Sequence, residues 1–299
     1  MENFYTVKEA VANYTNGCDN KVNASSKLIL GKAILAGIMI GMGAAASSVA
    51  AHTVSDVGLA RLAAAVVFPV GLMMVILLGA ELFTGDCLMI MGTASKKHKF
   101  NDLMRVLITV FVGNFIGASL LALLIYGSGQ LDYSGGMLGA YTIKVALAKV
   151  NLPFGRALIS GILCNILVCA AVLMAGCAKD ITGKLLASFF TIMLFVTAGF
   201  EHCVANMYYI TAGLVAGFNP EYVQLAMQEY GFTAEQLSTL NLENFLFTNL
   251  LPVTIGNVVG GVVLGLALLY FNREKVTKTV KEEKRDGIIF DNSVAGVLR

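Results

Sequence analysis

The sequence predicts an all-α polytopic membrane protein: six transmembrane helices in two inverted three-helix repeats, with helices two and five broken. Three observations carry this expectation. Of 299 residues, 57% are hydrophobic and 13% charged, against roughly 45–50% and about 25% in soluble domains. Apolar stretches long enough to cross a bilayer recur along the chain. Short motifs of the first half return in the same order in the second. With a net charge of only +2, the chain lacks the basic excess of a nucleic-acid binder and the polar composition of a disordered one. Its expected surroundings are a lipid bilayer, with no nucleic acid as partner.

Residues 1–27 lack the apolar core of a cleavable signal. Phe4, Val7, Val11 and Tyr14 recur at helical spacing, which predicts a cytoplasmic amphipathic helix lying on the membrane surface. Gly31–Ala51, Leu103–Tyr126, Ala157–Cys177 and Thr248–Phe271 each suit one span. Leu62–Thr93 and Leu185–Phe218 are too long for one ordinary span. The first is interrupted by Glu81-Leu-Phe-Thr-Gly-Asp86, the second by Glu201-His-Cys-Val-Ala-Asn206. Polar, non-helical backbone at membrane depth is tolerated only where protein or a water-filled cavity satisfies it, so these stretches read as broken helices. Residues 1–272 then form one transmembrane domain, with repeats at about 28–126 and 155–271, and 273–299 form a cytoplasmic tail.

Basic residues orient the spans. With both termini cytoplasmic, 17 of the 21 Lys and Arg fall inside, leaving Arg61, Lys144, Lys149 and Arg156 outside. This satisfies the positive-inside rule. The segment 219–243 carries four Glu and no Lys or Arg, as an external loop should.

The repeat shows in three pieces. Gly31-Lys-Ala-Ile-Leu-Ala-Gly37 pairs with Gly155-Arg-Ala-Leu-Ile-Ser-Gly161, and Gly79-x-Glu81 with Gly199-x-Glu201. Val110-Phe-Val-Gly-Asn-Phe-Ile-Gly117 pairs with Val253-Thr-Ile-Gly-Asn-Val-Val-Gly260. Three spans per copy is an odd number, so the second copy is upside down. Paired broken helices in inverted repeats place a binding or permeation site near the midplane. Gly-x-x-x-Gly pairs at 37/41, 113/117 and 256/260 suit close helix packing, within the bundle or between subunits.

Glu81-Leu-Phe-Thr-Gly, Gly161-Ile-Leu-Cys-Asn-Ile-Leu-Val-Cys169, Gly199-Phe-Glu-His-Cys-Val-Ala-Asn-Met207 and Leu251-Pro-Val-Thr-Ile-Gly-Asn-Val-Val-Gly260 resemble the formate/nitrite transporter family, in order over about residues 1–272. The resemblance implies an aquaporin-like protomer, although the aquaporin Asn-Pro-Ala signatures are absent. It also implies a homopentamer with one pore per protomer, passing small monovalent anions or their conjugate acids. It places Thr84, Lys149, His202, Asn165 and Asn257 on the substrate pathway. An outer constriction would involve Leu82, Phe83 and Phe195, and an inner one Phe68, Leu72 and Val168.

Physical argument bears on several of these residues. His202 alone of three histidines falls within a span, where ionisable groups are costly and tend to be functional. A histidine there either exchanges protons with a weak acid or is locked by hydrogen bonds and never titrates. Glu81 and Glu201 occupy equivalent breaks. Their symmetry favours accepting freed backbone N–H groups over coupling protons, and Asn206 is grouped with them as break support. Thr84, Asn165, Asn206 and Asn257 offer neutral donors, which bind an anion without trapping it, or they serve as interhelical glue. Lys149 stands in the most basic external connection, where it would concentrate anions.

No metal, cofactor or enzymatic constellation is expected: the six cysteines lack Cys-x-x-Cys spacing and no nucleophile–base set accompanies His202. The function expected is a passive channel of the bacterial cytoplasmic (inner) membrane for hydrosulfide, formate or nitrite, with hydrosulfide favoured. The alternative is a proton-coupled symporter of the same weak-acid anions.

Overall fold

The computed structural model describes residues 4–272; the tail expected at 273–299 lies outside them. The elements are α1 (Val7–Asn23), α2 (Ser26–Ala51), α3 (Val57–Leu78), and α4, a run of short turns at Phe83–Asp86, Cys87–Met89 and Ile90–Ala94. Next come α5 (Phe100–Gly127), α6 (Met137–Val150), α7 (Phe154–Cys177), α8 (Ile181–Ala198) and α9 (Cys203–Ala216). The last are α10 (Pro220–Tyr230), α11 (Ala234–Ser238) and α12 (Asn244–Asn272), which begins with a π turn. Six of these helices are long and apolar enough to span a membrane: α2, α3, α5, α7, α8 and α12. Pro69, which has no N–H, marks a turn within α3.

The core consists of α2 packed on α5 and α7 packed on α12. Small residues make this possible. A Cβ on Gly117 would lie 2.0 Å from the Ile34 carbonyl, and one on Gly260 would lie 2.3 Å from that of Ile162. These Gly-x-x-x-Gly faces are therefore spent inside the protomer, where close backbone approach gives van der Waals contact that lipid does not supply. The same contacts fix the register of the repeats. Ile34 corresponds to Ile162, and Ala33 to Gly161. The resemblance between Gly31–Gly37 and Gly155–Gly161 is thus one helical turn out of step.

Three elements differ from expectation. The connection 127–156 holds α6, which packs against α9 and α10; too short to span and dotted with lysines, it gave no hydropathy signal. The acidic segment 219–243 is largely helical, as α10 and α11, rather than loop. Finally, α1 does not lie with Phe4, Val7, Val11 and Tyr14 on one apolar face. Phe4 and Val7 are exposed, while Ala10, Val11, Thr15 and Cys18 are buried against the ends of α7, α12 and α4. The Tyr14 hydroxyl donates to the Gly85 carbonyl at 3.0 Å. Thr6 and Glu9 start this helix with a reciprocal capping box.

Candidate functional site

The site is built from the two breaks. α3 stops at Gly79 (φ 65°) and α8 at Gly199 (φ 73°), left-handed conformations that favour glycine. Ala80–Leu82 and Phe200–His202 then run without helix before α4 and α9 begin. Each break frees main-chain groups that must find partners, and one asparagine on the neighbouring long helix supplies them. Asn114 Oδ1 accepts from Phe83 N at 2.9 Å, while its Nδ2 donates to the carbonyls of Ala33 and Glu81 at 2.8 and 3.0 Å. Asn257 Oδ1 accepts from Cys203 N at 2.9 Å, and its Nδ2 donates to Gly161 and Glu201 at 2.8 and 3.0 Å. The two sets match partner for partner.

Against this shared scaffold the side chains of the two breaks differ, and two of the differences build the centre. Leu82 corresponds to His202, and Thr84 to Val204, so each break contributes one polar side chain to the centre. His202 Nε2 lies 2.8 Å from Thr84 Oγ1. His202 Nδ1 accepts from the Ala205 amide at 3.0 Å, which caps α9. A main-chain N–H can only donate, so Nδ1 carries no proton and the neutral ring bears its hydrogen on Nε2. That hydrogen points at Thr84 Oγ1, leaving the threonine's own proton for a further acceptor.

Two cavities approach this pair from opposite sides. One, about 480 Å³, is lined by Lys21, Lys32, Glu81, Asp86, Lys184, Leu72 and Leu82. The other, about 210 Å³, is lined by Arg61, Lys149, Glu201, Phe68, Phe195 and His202 and joins a wider mouth bearing Lys144 and Arg156. Thr84 is fully buried between them. On the first side, Lys21 of α1 pairs with Glu81 (2.6 Å) and with Asp86. Burial opposes the Lys21 charge, but Asp86 and Glu81 outweigh it and hold its pKa above the ordinary lysine value.

The sequence profile of the formate/nitrite transporters matches residues 8–271. The chain belongs to the formate/nitrite transporter family. The formate channel FocA of Haemophilus influenzae is 38% identical over 208 residues, 69% of this chain and 72% of that protein. A probable formate transporter of Methanothermobacter thermautotrophicus is 34% identical over 282 residues, 87% of this chain and 95% of its own. A solved pentameric formate channel with formate bound aligns with a TM-score of 0.75 at 32% identity, covering 82% of this chain and 96% of that one. The protein is accordingly a multi-pass membrane protein of anion transport rather than an enzyme.

Within that family frame, several expected roles change. Glu81 and Glu201 do not satisfy the break amides; the asparagines do. Glu201 instead accepts from Lys149 Nζ at 3.0 and 3.2 Å and from Asn206 Nδ2 at 2.6 Å, and Asn206 also donates to Asn249 Oδ1 at 2.8 Å. Asn257 has no donor left for an anion. Nor has Asn165, whose Nδ2 is spent on the carbonyls of Thr84 (3.1 Å) and Asn257 (2.5 Å). Both asparagines hold the breaks rather than face the cavities. The constriction residues also regroup. Phe68 and Phe195 meet edge to face, 5.5 Å between centroids, on the Lys149 side, while Leu72 and Leu82 share the Lys21 side. Phe83 turns away to pack on Phe111 at 5.0 Å, and Val168 lies in the core, lining neither cavity. Sequence reasoning missed Asn114, although its place opposite Asn257 in the repeated Gly-Asn motif marked it. It also missed Asp86, Asn249 and Lys21, which only the docking of separate elements brings into the site.

Proposed function

We propose that the protein is a passive channel for formate-like monovalent anions, with formate itself the first candidate. It would sit in a bacterial cytoplasmic membrane with both termini inside, as a homopentamer with a pore through each protomer. The observation that carries this reading is the neutral His202–Thr84 pair standing between two cavities, each bounded by apolar side chains. An anion would be concentrated at the outer mouth by Lys144, Arg156 and the Lys149 group. It would pass Phe68 and Phe195, then lose water against the threonine hydroxyl, whose oxygen accepts from the imidazole N–H. Neutral donors offset part of its desolvation without binding it too tightly to leave. It would exit past Leu72 and Leu82 towards Lys21, Lys32 and Lys184. Formate takes the place of hydrosulfide because the relatives described above are named for formate, and no residue in the centre favours hydrosulfide.

The test is flux in proteoliposomes with formate, nitrite, hydrosulfide and chloride at several pH values. Formate flux that saturates weakly, runs down its own gradient and exceeds chloride flux supports the reading; absence of formate flux ends it. The second reading, proton-coupled symport, draws on the buried Asp86, whose Oδ2 has no hydrogen-bond partner among the described residues and so offers a place for a proton. Reversal potentials separate the two: a coupled carrier follows the proton gradient with fixed stoichiometry, a passive channel does not.

A further inference from the structure

The outer cavity has two cations on its deep wall, Arg61 and Lys149, and only one is neutralised. Lys149 Nζ sits on both Glu201 oxygens at 3.0 and 3.2 Å, with the Tyr209 ring 5.3 Å away. The carboxylate that holds it is in turn fixed by Asn206. Arg61, from the first turns of α3, is exposed and has neither an ion pair nor a hydrogen bond among the described residues. It lines both the deep cavity and the wider mouth, so it stands where the one opens into the other. Its guanidinium lies across the second break: a Cβ on Gly199 would fall 2.0 Å from Nη1. His202 follows Gly199 by three residues, and Phe195 precedes it by four.

We propose that Arg61 is the anion-capturing and selecting residue of the outer vestibule, taking planar two-oxygen anions, carboxylate or nitrite, by a two-pronged hydrogen bond. This rests on the channel reading above and gives it a substrate class. A guanidinium presents parallel N–H donors in a rigid fork that matches two oxygens on one atom. A hydrosulfide or chloride ion has a single acceptor atom and gains nothing from the second prong. Lys149 cannot make the same choice, because its ammonium is a point charge already committed to Glu201. Selection would then occur before the apolar rings, in a water-filled mouth where a bound anion still exchanges readily. Gly199 has a second use here: the absence of a side chain leaves the guanidinium room above the break.

The test compares wild type, Arg61→Lys and Arg61→Gln by concentration-dependent flux of formate, nitrite, hydrosulfide and chloride in proteoliposomes, with equal melting temperatures showing that the variants fold. Arg61→Lys keeps the charge and loses the fork. Its half-saturation for formate and nitrite should rise about five- to tenfold while the one-atom anions change by less than about twofold, the gain from a fork in an exposed site being modest. Arg61→Gln should weaken both classes, formate and nitrite more. If Arg61→Lys matches wild type for every anion, Arg61 supplies charge alone and the selection role is overturned. If Arg61→Gln changes no anion, Arg61 lies off the route and the proposal fails entirely. A wild-type protein that carries none of the four would instead sink the channel reading on which it stands.

Discussion

His202 performs two jobs with one ring, and substitution can separate them. Asparagine is a good helix N-cap and carries an amide donor, so His202→Asn should keep α9 started and still present an N–H near Thr84. The expected outcome is flux within about fivefold of wild type and little loss of melting temperature. His202→Ala loses the cap, about 1 kcal/mol, and the donor as well. If the histidine must shuttle protons, His202→Asn will abolish transport as fully as His202→Ala, and flux assays decide between the two. At Thr84, serine should preserve flux. Valine should lower it by tenfold or more, because the Nε2 hydrogen is left buried without an acceptor, at about 1–3 kcal/mol. Thr84 and His202 were legible in the sequence because polar residues in an apolar span call attention to themselves. What their neighbours do was not. Asn165 and Asn257 look like free donors until the carbonyls they serve, such as Thr84 and Gly161, are brought against them from other helices.

At the scale of elements, the two breaks share a scaffold and differ in tolerance. Gly79→Ala meets no atom within 4 Å, whereas Gly199→Ala drives a methyl to 2.0 Å from Arg61 Nη1. Both pay the left-handed strain of about 1–2 kcal/mol. Only the second should also displace a side chain, so its formate half-saturation should shift while that of Gly79→Ala does not. Asn114→Ala and Asn257→Ala each strip three hydrogen bonds from buried main-chain groups. Each should destabilise by roughly 3 kcal/mol or more, measured as loss of the detergent-solubilised melting transition. Asn114→Ala should do so although its residue faces neither cavity. The broken helices and the duplication could be read from hydropathy and motif order. The register of α2 against α7 could not, because a shift of four residues returns nearly the same helix face, and the motif match alone does not see it. The approach of Ile34 to Gly117 and of Ile162 to Gly260, with the bonds from Asn114 to Ala33 and from Asn257 to Gly161, separates the two alignments.

For the whole molecule, the docking of α1 makes residues of Val7–Asn23 part of the wall of the cavity that Glu81 and Asp86 line. Lys21→Ala leaves Glu81 and Asp86 facing one cavity with Lys32, 3.8 Å from Glu81, as the remaining ion-pair partner of that carboxylate. α1 should then detach more often. Cys18 reports this: it is buried on α1, and burial pushes its thiol up to about 11, so alkylation at about pH 8 should be slow. In Lys21→Ala the rate should rise tenfold or more; an unchanged rate would show that the ion pairs do not hold the helix. The Lys21 pKa is raised on folding, so its contribution is complete below the ordinary lysine value of about 10.4 and is lost as pH climbs through the raised one. Cys18 protection should therefore show no Lys21-dependent loss between about pH 8 and about pH 10 and weaken only beyond. None of this docking was written in the local sequence of α1, whose apolar residues fit a lipid surface equally well. The main-chain bond to His202 Nδ1 has a last consequence, for the energy balance of a membrane that stores a proton gradient. Proton hopping needs each group in a file to take up a proton on one side as it gives one up on the other. In this chamber the receiving atom already accepts from the Ala205 amide, a cap worth about 1 kcal/mol. On the channel reading, the centre of the protein would act as an insulator for protons, and a cell could leave the route open to anions without discharging the gradient that drives its other work.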